Sequence, residues 1–336
     1  MTAAVAHRVW RDAIVISSTP IAARVRRIEV EMPDPVSAPP GSHIDVAISA
    51  NGTQLIRSYS IVDVSADGRR LAISVLQTES SRGGSTQMHR LCAGQPIRLR
   101  GPVQNFALTV GASRYLLVAG GIGITALIGM AAALRRAGAD YRLVYLGRNR
   151  SRMPYLDDVH RMHGERLTVH VSEDSGVMDI DDLLCSVDAA TELYMCGPAD
   201  LMQAIRLAWS QRRLPEANLR FETFGAGAAT APFLVRVPRL GRETVVSPEQ
   251  TMLEALTGIG VDVMSDCLKG ECGLCAVDVL AVQGAVEHRD VFYSRDQQLS
   301  NRRLCACVSR VVAAPHVTQG DAQRSTARPA ISIDIR

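Results

Sequence analysis

The stretch that decides the fold of the C-terminal part of the chain is residues 265–275, SDCLKGECGLC. Its three cysteines, Cys267, Cys272 and Cys275, are separated by four and then by two residues. The glycines between them give the backbone the conformational freedom to wrap closely around a bound group. Such a loop can aim three thiolates at one point from different directions, so the stretch predicts a metal centre.

The spacing of these cysteines indicates which kind of metal centre they bind. Four residues followed by two is the plant-type ferredoxin spacing for a 2Fe–2S cluster, whose fourth ligand is a distant cysteine. Cys305 and Cys307 both lie downstream, and if they belong to a strand, their thiols point to the same face. A zinc site or buried free thiols are the alternatives. The pattern favours iron and sulfur, because zinc ligands usually come as two short Cys-x-x-Cys units.

Length and composition limit the classes of protein that remain. A chain of 336 residues is too long for one ordinary core, so two or three domains are expected. With 47% apolar and 21% charged residues it has the composition of a soluble globular protein, and a net charge of +3 argues against a nucleic-acid partner. The sequence shows no signal peptide and no apolar stretch long enough to cross a membrane, which predicts a cytoplasmic protein without a membrane partner.

The eight cysteines are expected to be metal ligands and free thiols, because disulfides are rare in the cytoplasm. Cys92, Cys185 and Cys196 do not belong to the spacing pattern. The first two are expected to be small buried residues.

Two kinds of strand pattern precede the cysteine loop. Residues 1–110 contain short alternating segments broken by turn residues, which predicts an antiparallel β-barrel domain. Residues 111–224 have a strand, helix, strand rhythm, with a strand at 115–119 and a helix from Thr125 to Arg136, which predicts an α/β domain with a parallel sheet.

The remaining chain is expected to contain a linker and a third domain. Residues 225–231 consist of glycine, alanine and threonine and are taken as a linker. Residues 232–336 form the domain that carries the cysteine loop. Within it, the stretch 313–329 resembles a flexible insertion before a last strand, and no role is assigned to it.

A glycine-rich turn joins the first strand of the α/β domain to its helix, GGIGIT at residues 120–125. Glycines there let the backbone approach a pyrophosphate, whose charge the N-terminus of the helix favours. A tight connection without a ligand is the alternative. A second motif, Cys196-Gly197-Pro198, ends a later strand at what should be the same edge of the sheet, where ligands bind in such folds.

The predicted barrel carries two further motifs, RSYS at residues 57–60 and SRGGS at residues 81–85. An arginine together with the backbone amides of a Gly-Gly turn is suited to phosphate. The side chain of Tyr59 could pack along a flat heterocycle.

Taken in order, these motifs resemble the phthalate dioxygenase reductase family. The resemblance covers about residues 8–312 and includes FETFG at 221–225, HRD at 288–290 and CVSR at 307–310. It implies a multidomain protein with an FMN-binding β-barrel, an α/β NAD(P)-binding domain and an α+β ferredoxin-like β-grasp domain. It also implies that Cys307 is the fourth cluster ligand.

The resemblance further implies the site residues. FMN would contact Arg57, Tyr59, Ser60, Arg82, Gly83, Gly84 and Ser85, and the dinucleotide would contact Gly120, Gly121, Gly123, Thr125, Gly197 and Pro198. Cys196 and Glu222 would act near the nicotinamide, and Phe224 would lie near the flavin. A surface carboxylate is the alternative interpretation of Glu222.

Residues 147–156, GRNRSRMPYL, resemble the corresponding run in reductase domains of self-sufficient haem-thiolate monooxygenases. Many phthalate-type relatives carry an aspartate here that suits the free ribose of NAD. Arg148 and Arg150 would instead favour a 2′-phosphate, so the sequence predicts NADPH, with solvated surface charges as the alternative.

The resemblance implies an electron-transfer reductase. Hydride would pass from NAD(P)H to FMN, and electrons would then pass singly through the cluster to a separate oxygenase of the Rieske or the haem-thiolate type. We expect the reductase to be monomeric. A redox- or nucleotide-sensing iron–sulfur flavoprotein without such a partner is the alternative.

Overall fold

The computed structural model describes residues 9–50, 53–78, 83–224, 231–248, 250–313 and 328–335. The chain divides into two compact units, Met1–Glu222 and Thr223–Arg336. Arg82, most of the predicted linker and most of the stretch 313–329 lie outside the described residues. The three domain limits drawn from the sequence stay predictions.

The first unit begins with a closed antiparallel barrel of six strands in the order β1-β2-β5-β4-β3-β6, which confirms the predicted barrel. Along β2, Val25, Ile28 and Val30 are buried, and together with residues of the other strands they fill the barrel. The strands are β1 (Arg11–Ala22), β2 (Val25–Glu31), β3 (Ser42–Ala50), β4 (Thr53–Val64), β5 (Arg70–Leu76) and β6 (Pro96–Gln104), and the short helix α1 (Gly84–His89) connects β5 to β6.

The same unit contains a parallel sheet of five strands in the order β11-β10-β7-β8-β9. Its strands are β7 (Arg114–Gly120), β8 (Tyr141–Gly147), β9 (Leu167–Val171), β10 (Thr191–Cys196) and β11 (Leu219–Glu222). Its helices are α2 (Ile124–Arg136), α3 (Leu156–His163), α4 (Ser172–Ser175), α5 (Ile180–Leu183) and α6 (Ala199–Gln211).

The central strand of this sheet, β7, is buried along almost its whole length, as expected for a strand covered on both faces. The chain runs from β7 to β8 on one side and later returns to β10 on the other. A sheet of this kind has a crevice at the carboxyl end of the strand where the order reverses, and ligands bind there. The predicted helix is confirmed and begins one residue earlier, at Ile124.

The second unit has a mixed sheet in the order β13-β12-β18-β14-β16 and a small sheet of β15 and β17. Its elements are β12 (Phe233–Val237), β13 (Arg242–Val246), α7 (Met252–Gly258), β14 (Ala276–Gln283), β15 (Ala285–Glu287), α8 (Arg295–Leu299), β16 (Arg303–Cys305), β17 (Arg310–Val312) and β18 (Ala330–Asp334). Helix α7 begins with a capping box between Thr251 and Glu254 and packs its apolar face on the sheet. The predicted α+β domain is confirmed.

The prediction that Cys92 and Cys185 are buried is wrong, because both are exposed. Cys92 lies in the turn before β6 and Cys185 follows α5, and connecting segments of this kind run over the surface. None of the helices in the described residues is both long and apolar enough to cross a membrane.

Candidate functional site

Two motifs meet where β7 and β10 end side by side. A Cβ atom on Gly123 would overlap the carbonyl oxygen of Cys196, and one on Gly120 would lie 2.6 Å from Cδ of Pro198. A Cβ atom on Gly197 would in turn lie 3.0 Å from Cα of Gly120. Close packing between the two strand ends therefore requires these three glycines, whether or not a ligand binds.

Gly121 differs from the other glycines of the turn. Its φ is +55°, in the left-handed region, and no heavy atom lies within 4 Å of the position that a Cβ would take. The hydroxyl of Thr125, which is buried, donates a hydrogen bond of 2.9 Å to the carbonyl of Ile122 and so closes the turn. Gly121 is thus the glycine of this turn that leaves open space for a ligand.

The barrel and the parallel sheet share a buried polar contact. The Ser60 hydroxyl, on β4, lies 3.0 Å from Oε2 of Glu222, the last residue of β11, although the two are 162 residues apart. Glu222 is only 1% exposed, so its interpretation as a surface carboxylate is wrong. Cys196 pairs with Glu222 in the sheet register and is itself fully buried. The contact therefore brings the barrel motif to the end of the sheet that carries Cys196-Gly197-Pro198.

The other barrel motif lies against the same strand. A Cβ on Gly84 would lie 3.3 Å from Cγ of Arg57, so the arginine side chain runs along the first turn of α1. Gly83 has a φ of +93° and precedes the helix, and the Ser85 hydroxyl accepts a hydrogen bond from the amide of Thr78 at 3.3 Å. A guanidinium beside a Gly-Gly turn can hold a phosphate.

Burial raises the pKa of Tyr59, and the positive charge of Arg57 offsets only part of that effect. The side chain therefore stays a neutral phenol, able to pack against an aromatic ring and to hydrogen-bond at its edge.

In the second unit, the described geometry separates the cysteines into an exposed and a buried group. The sulfur of Cys267 accepts hydrogen bonds from the amides of Lys269 and Cys272, each at 3.4 Å. Cys272 is exposed and Cys267 half-buried. Sγ of Cys275 lies 3.1 Å from Sγ of Cys307, and both residues are buried.

In the described residues the cysteines do not come together as a group of three or more metal ligands, but the backbone of the loop has the tight turns that wrapping a cluster requires. Gly270 and Gly273 both have φ above +70°, and a Cβ on either would collide with a neighbour, Val308 for the first and the Phe292 ring for the second. The chain can follow this path only with glycine at those positions. Hydrogen bonds from the thiols of Cys305 and Cys307 lower the pKa of Cys275 below its usual value, which favours the thiolate form that binds metals.

Cys305 and Cys307 have different surroundings. Strand β16 ends at Cys305, which pairs with Ala276 and is fully buried in the apolar core, while Cys307 lies beyond it in a turn. The expectation that both thiols share one face of a strand therefore does not apply. The hydrogen bond to Cys275 raises the pKa of both Cys305 and Cys307, and burial raises each further. The sulfur of Cys307 lies 3.1 Å from that of Cys275, the last cysteine of the loop.

The arginines expected near a 2′-phosphate are exposed, and one of them has an acidic partner. Nε of Arg148 lies 3.4 Å from Oε1 of Glu173, which also accepts a hydrogen bond of 3.2 Å from the side chain of Asn149. Arg150 follows on the surface. Sequence reasoning missed Glu173, although its position just after β9 predicts the same sheet edge.

Phe224 is exposed at the start of the second unit. The residue before it, Thr223, was not singled out as a site residue. It contacts Lys269 and Glu271 of the cysteine loop, a long-range contact that no local pattern indicates.

Known protein families match two parts of the chain, the barrel and the domain that contains the cysteine loop. Residues 12–108 match the oxidoreductase FAD-binding domain family, and residues 235–312 match the 2Fe-2S iron-sulfur cluster binding domain family. The chain is 36% identical to the heme-dependent oxidative N-demethylase beta subunit of Ectopseudomonas mendocina, over 82% of this chain and 87% of that one. It is 30% identical to the carnitine monooxygenase reductase subunit of Escherichia coli, over 87% and 92%.

Among solved structures, phthalate dioxygenase reductase superposes with a TM-score of 0.72 at 27% identity, covering 97% of this chain and 98% of the other. The chain belongs to the phthalate dioxygenase reductase family. It is an oxidoreductase of the oxygenase-reductase type, with a flavin-binding domain and a 2Fe–2S domain that serve electron transfer to an oxygenase. An intact type IV self-sufficient cytochrome P-450 monooxygenase matches with a TM-score of 0.66 and 31% identity over 97% of this chain, which spans 41% of that protein.

Proposed function

We propose that this family member binds FMN, oxidises NAD(P)H and delivers the electrons one at a time, through a 2Fe–2S cluster, to a separate oxygenase. The observation that carries the proposal is the buried contact between Ser60 and Glu222. It joins the flavin motif of the barrel to the strand end where a nicotinamide would lie.

The residues on β4 and α1 support FMN as the flavin. Arg57 with Gly83, Gly84 and Ser85 would hold a terminal phosphate, and Tyr59 would pack on the isoalloxazine. Arg82 is proposed for the same phosphate from the sequence alone. The dinucleotide would lie over Gly121, in the turn shaped by Gly120, Gly123, Thr125, Gly197 and Pro198.

A flavin accepts two electrons as hydride and can release them singly, which is the conversion that a one-electron cluster requires. In this chain, the Ser60 hydroxyl donates to Oε2 of Glu222 and leaves its oxygen lone pairs available to a ligand. Glu222 orients Ser60 and can hold a proton at Oε2 close to the flavin site. We assign Cys196, which is buried beside Glu222, to the shape of the nicotinamide site, and Phe224 to the flavin face.

We propose Cys267, Cys272, Cys275 and Cys307 as the ligands of the cluster. Two irons that share two sulfides each need two protein ligands, which makes four in all. The short distance between Cys275 and Cys307 and the resemblance of the CVSR run support this choice over Cys305.

The choice between NADH and NADPH depends on opposed charges at the ends of β8 and β9. Arg148 and Arg150 support the predicted NADPH, whereas Glu173 is a carboxylate of the kind that hydrogen-bonds the free ribose of NAD. An efficiency ratio that favours NADH tenfold or more would contradict the prediction of NADPH.

Stopped-flow mixing with each nucleotide tests the proposal, with flavin bleaching as the signal. Glu222→Gln keeps the size of the side chain but removes its charge, so we expect flavin content to be unchanged and flavin reduction to slow by about tenfold to a hundredfold. Glu216→Gln, the same change at an exposed position, serves as the control.

Bleaching of the Glu222→Gln variant at the wild-type rate would rule out the role of Glu222. If neither nucleotide bleached the wild-type flavin within seconds, the reductase proposal would fail, and a sensing protein would be favoured instead.

The partner is proposed from the relatives. The name of the carnitine monooxygenase reductase subunit describes the reductase of an oxygenase system, and that of the N-demethylase beta subunit describes one subunit of a heme-dependent oxidative enzyme. The likeness of residues 147–156 supports a haem-thiolate oxygenase, and a Rieske-type oxygenase is the other candidate. The monomeric state remains a prediction, which light scattering checks.

A further inference from the structure

Thr223, the first residue of the second unit, holds both residues that flank Gly270 in the cysteine loop. Its amide donates a hydrogen bond of 2.7 Å to Oε1 of Glu271, and its hydroxyl lies 2.7 Å from the carbonyl oxygen of Lys269. The hydroxyl is also 3.0 Å from the same Glu271 oxygen. Both partners are acceptors, so the single hydroxyl proton serves the two of them.

The two residues held in this way are donors to a proposed cluster ligand. The amide of Lys269 lies 3.4 Å from Sγ of Cys267, and the amide of Glu271 also donates to that sulfur. Lys269 is almost fully buried. Thr223 therefore holds, through the carbonyl of Lys269 and the carboxylate of Glu271, the two residues whose amides face the sulfur.

We propose that this Thr223–Glu271 bridge is a positioning device for the cluster. It holds the loop so that the amides of Lys269 and Glu271 point at Cys267, and it thereby sets the reduction potential of the cluster. The inference rests on the proposed ligand set, and it adds two residues outside that set.

The sign of the effect follows from charge. Reduction adds negative charge to the cluster and its thiolates, and amide donors to sulfur stabilise that charge. Loss of the bridge weakens these donors and shifts the potential to more negative values. It also frees the loop amides for exchange with solvent.

The test compares variants of both ends of the bridge in the full-length protein. Thr223→Val removes the hydroxyl and keeps the shape, and Thr223→Ser restores the hydroxyl. Glu271→Ala removes the acceptor, whereas Glu271→Gln keeps an acceptor oxygen without the charge. Thr257→Val is the matched control, because the Thr257 hydroxyl donates a hydrogen bond of 3.0 Å within α7, to the carbonyl of Leu253.

Two measurements are made on each variant: hydrogen–deuterium exchange of the peptide that spans the cysteine loop, and a redox titration followed by electron paramagnetic resonance. For Thr223→Val we expect loop exchange to speed up about tenfold and the one-electron reduction equilibrium to become at least about threefold less favourable. Thr223→Ser and Thr257→Val should match the wild type in both.

Comparison of the two Glu271 variants distinguishes the effect of the hydrogen-bonded bridge from the effect of the carboxylate charge. Both variants lose the carboxylate charge, so Glu271→Ala should have a lower potential than Glu271→Gln and faster loop exchange. Equal values for these two variants, or wild-type values for Thr223→Val, would overturn the inference. If the wild-type protein assembled no cluster, the proposed ligand set would fail, while the exchange comparison would still decide whether the bridge holds the loop.

Discussion

The glycines of the turn after β7 have different structural roles. Gly123 and Gly120 are required by the packing of neighbouring strand ends, whereas Gly121 faces open space with a positive φ. A glycine-rich motif is usually interpreted as a ligand site. Here Gly120 and Gly123 are needed for close packing of the backbone, and Gly121 is the glycine that leaves space for a ligand.

This division predicts different effects of alanine in the turn. Gly123→Ala places a methyl group against the Cys196 carbonyl, so we expect it to destabilise the first unit by at least about 2 kcal/mol. Gly121→Ala meets no atom and should cost only about 1–2 kcal/mol, from its left-handed backbone, but should weaken nucleotide binding.

Thermal unfolding and nucleotide titration measure the two effects. Gly258→Ala is the control, because a Cβ there meets nothing and the position ends a helix. Equal stability of the Gly123 and Gly121 variants would show that the strand ends can separate at little cost.

At the level of elements, the buried carboxylate of Asp290 joins the segment after β15 to Ser309, which directly precedes β17. Oδ1 of Asp290 accepts a hydrogen bond of 3.0 Å from Ser309, and Oδ2 accepts one of 3.2 Å from the amide of Tyr293. Burial alone would raise the pKa of Asp290, but hydrogen bonds from His288, Tyr293 and Gln298 outweigh it and hold the pKa below its usual value. These contacts give Ser309 of the CVSR run a structural role.

Replacing this carboxylate should loosen the second unit. We expect Asp290→Asn to lower its stability by about 1.5–3 kcal/mol at neutral pH, because charge-assisted hydrogen bonds are lost. Since the folded pKa is depressed, the contribution of Asp290 is complete above the ordinary aspartate pKa and is lost as the pH falls through the folded value.

The difference between variant and wild type should therefore shrink in acid, as followed by thermal unfolding from neutral pH downwards. Asp262→Asn, at an exposed position, is the control. A difference that stayed constant down to strongly acidic pH would mean that the charge of Asp290 is not what stabilises the segment.

For the whole molecule, the two redox sites belong to separate compact units whose boundary falls between Glu222 and Thr223. Glu222 contacts the barrel, and Thr223 contacts the cysteine loop. Glu222 therefore belongs to the proposed flavin site, and its neighbour Thr223 belongs to the surroundings of the proposed cluster. This arrangement predicts that the two electron-transfer steps can be separated by mutation.

Cys272→Ser should abolish electron transfer to a one-electron protein acceptor, because it removes a proposed ligand of the cluster, and should spare NAD(P)H oxidation by ferricyanide. Steady-state assays with both acceptors make the comparison, and Cys92→Ser, at an exposed position in the first unit, is the control. Loss of both activities in a folded variant that retains flavin would contradict the order of electron transfer.

Features that depend on local spacing could be predicted from the sequence alone. The x4-then-x2 cysteine loop, the helix after the glycine turn and the strand alternation of the barrel each follow from a few consecutive residues, because turn geometry and side-chain periodicity are local properties. Contacts between residues that are far apart in the sequence could be identified only from the folded structure. The burial of Glu222 against Ser60, the different surroundings of Cys305 and Cys307, and the hold of Thr223 on the cysteine loop all depend on how separate elements pack, and no local pattern records that packing.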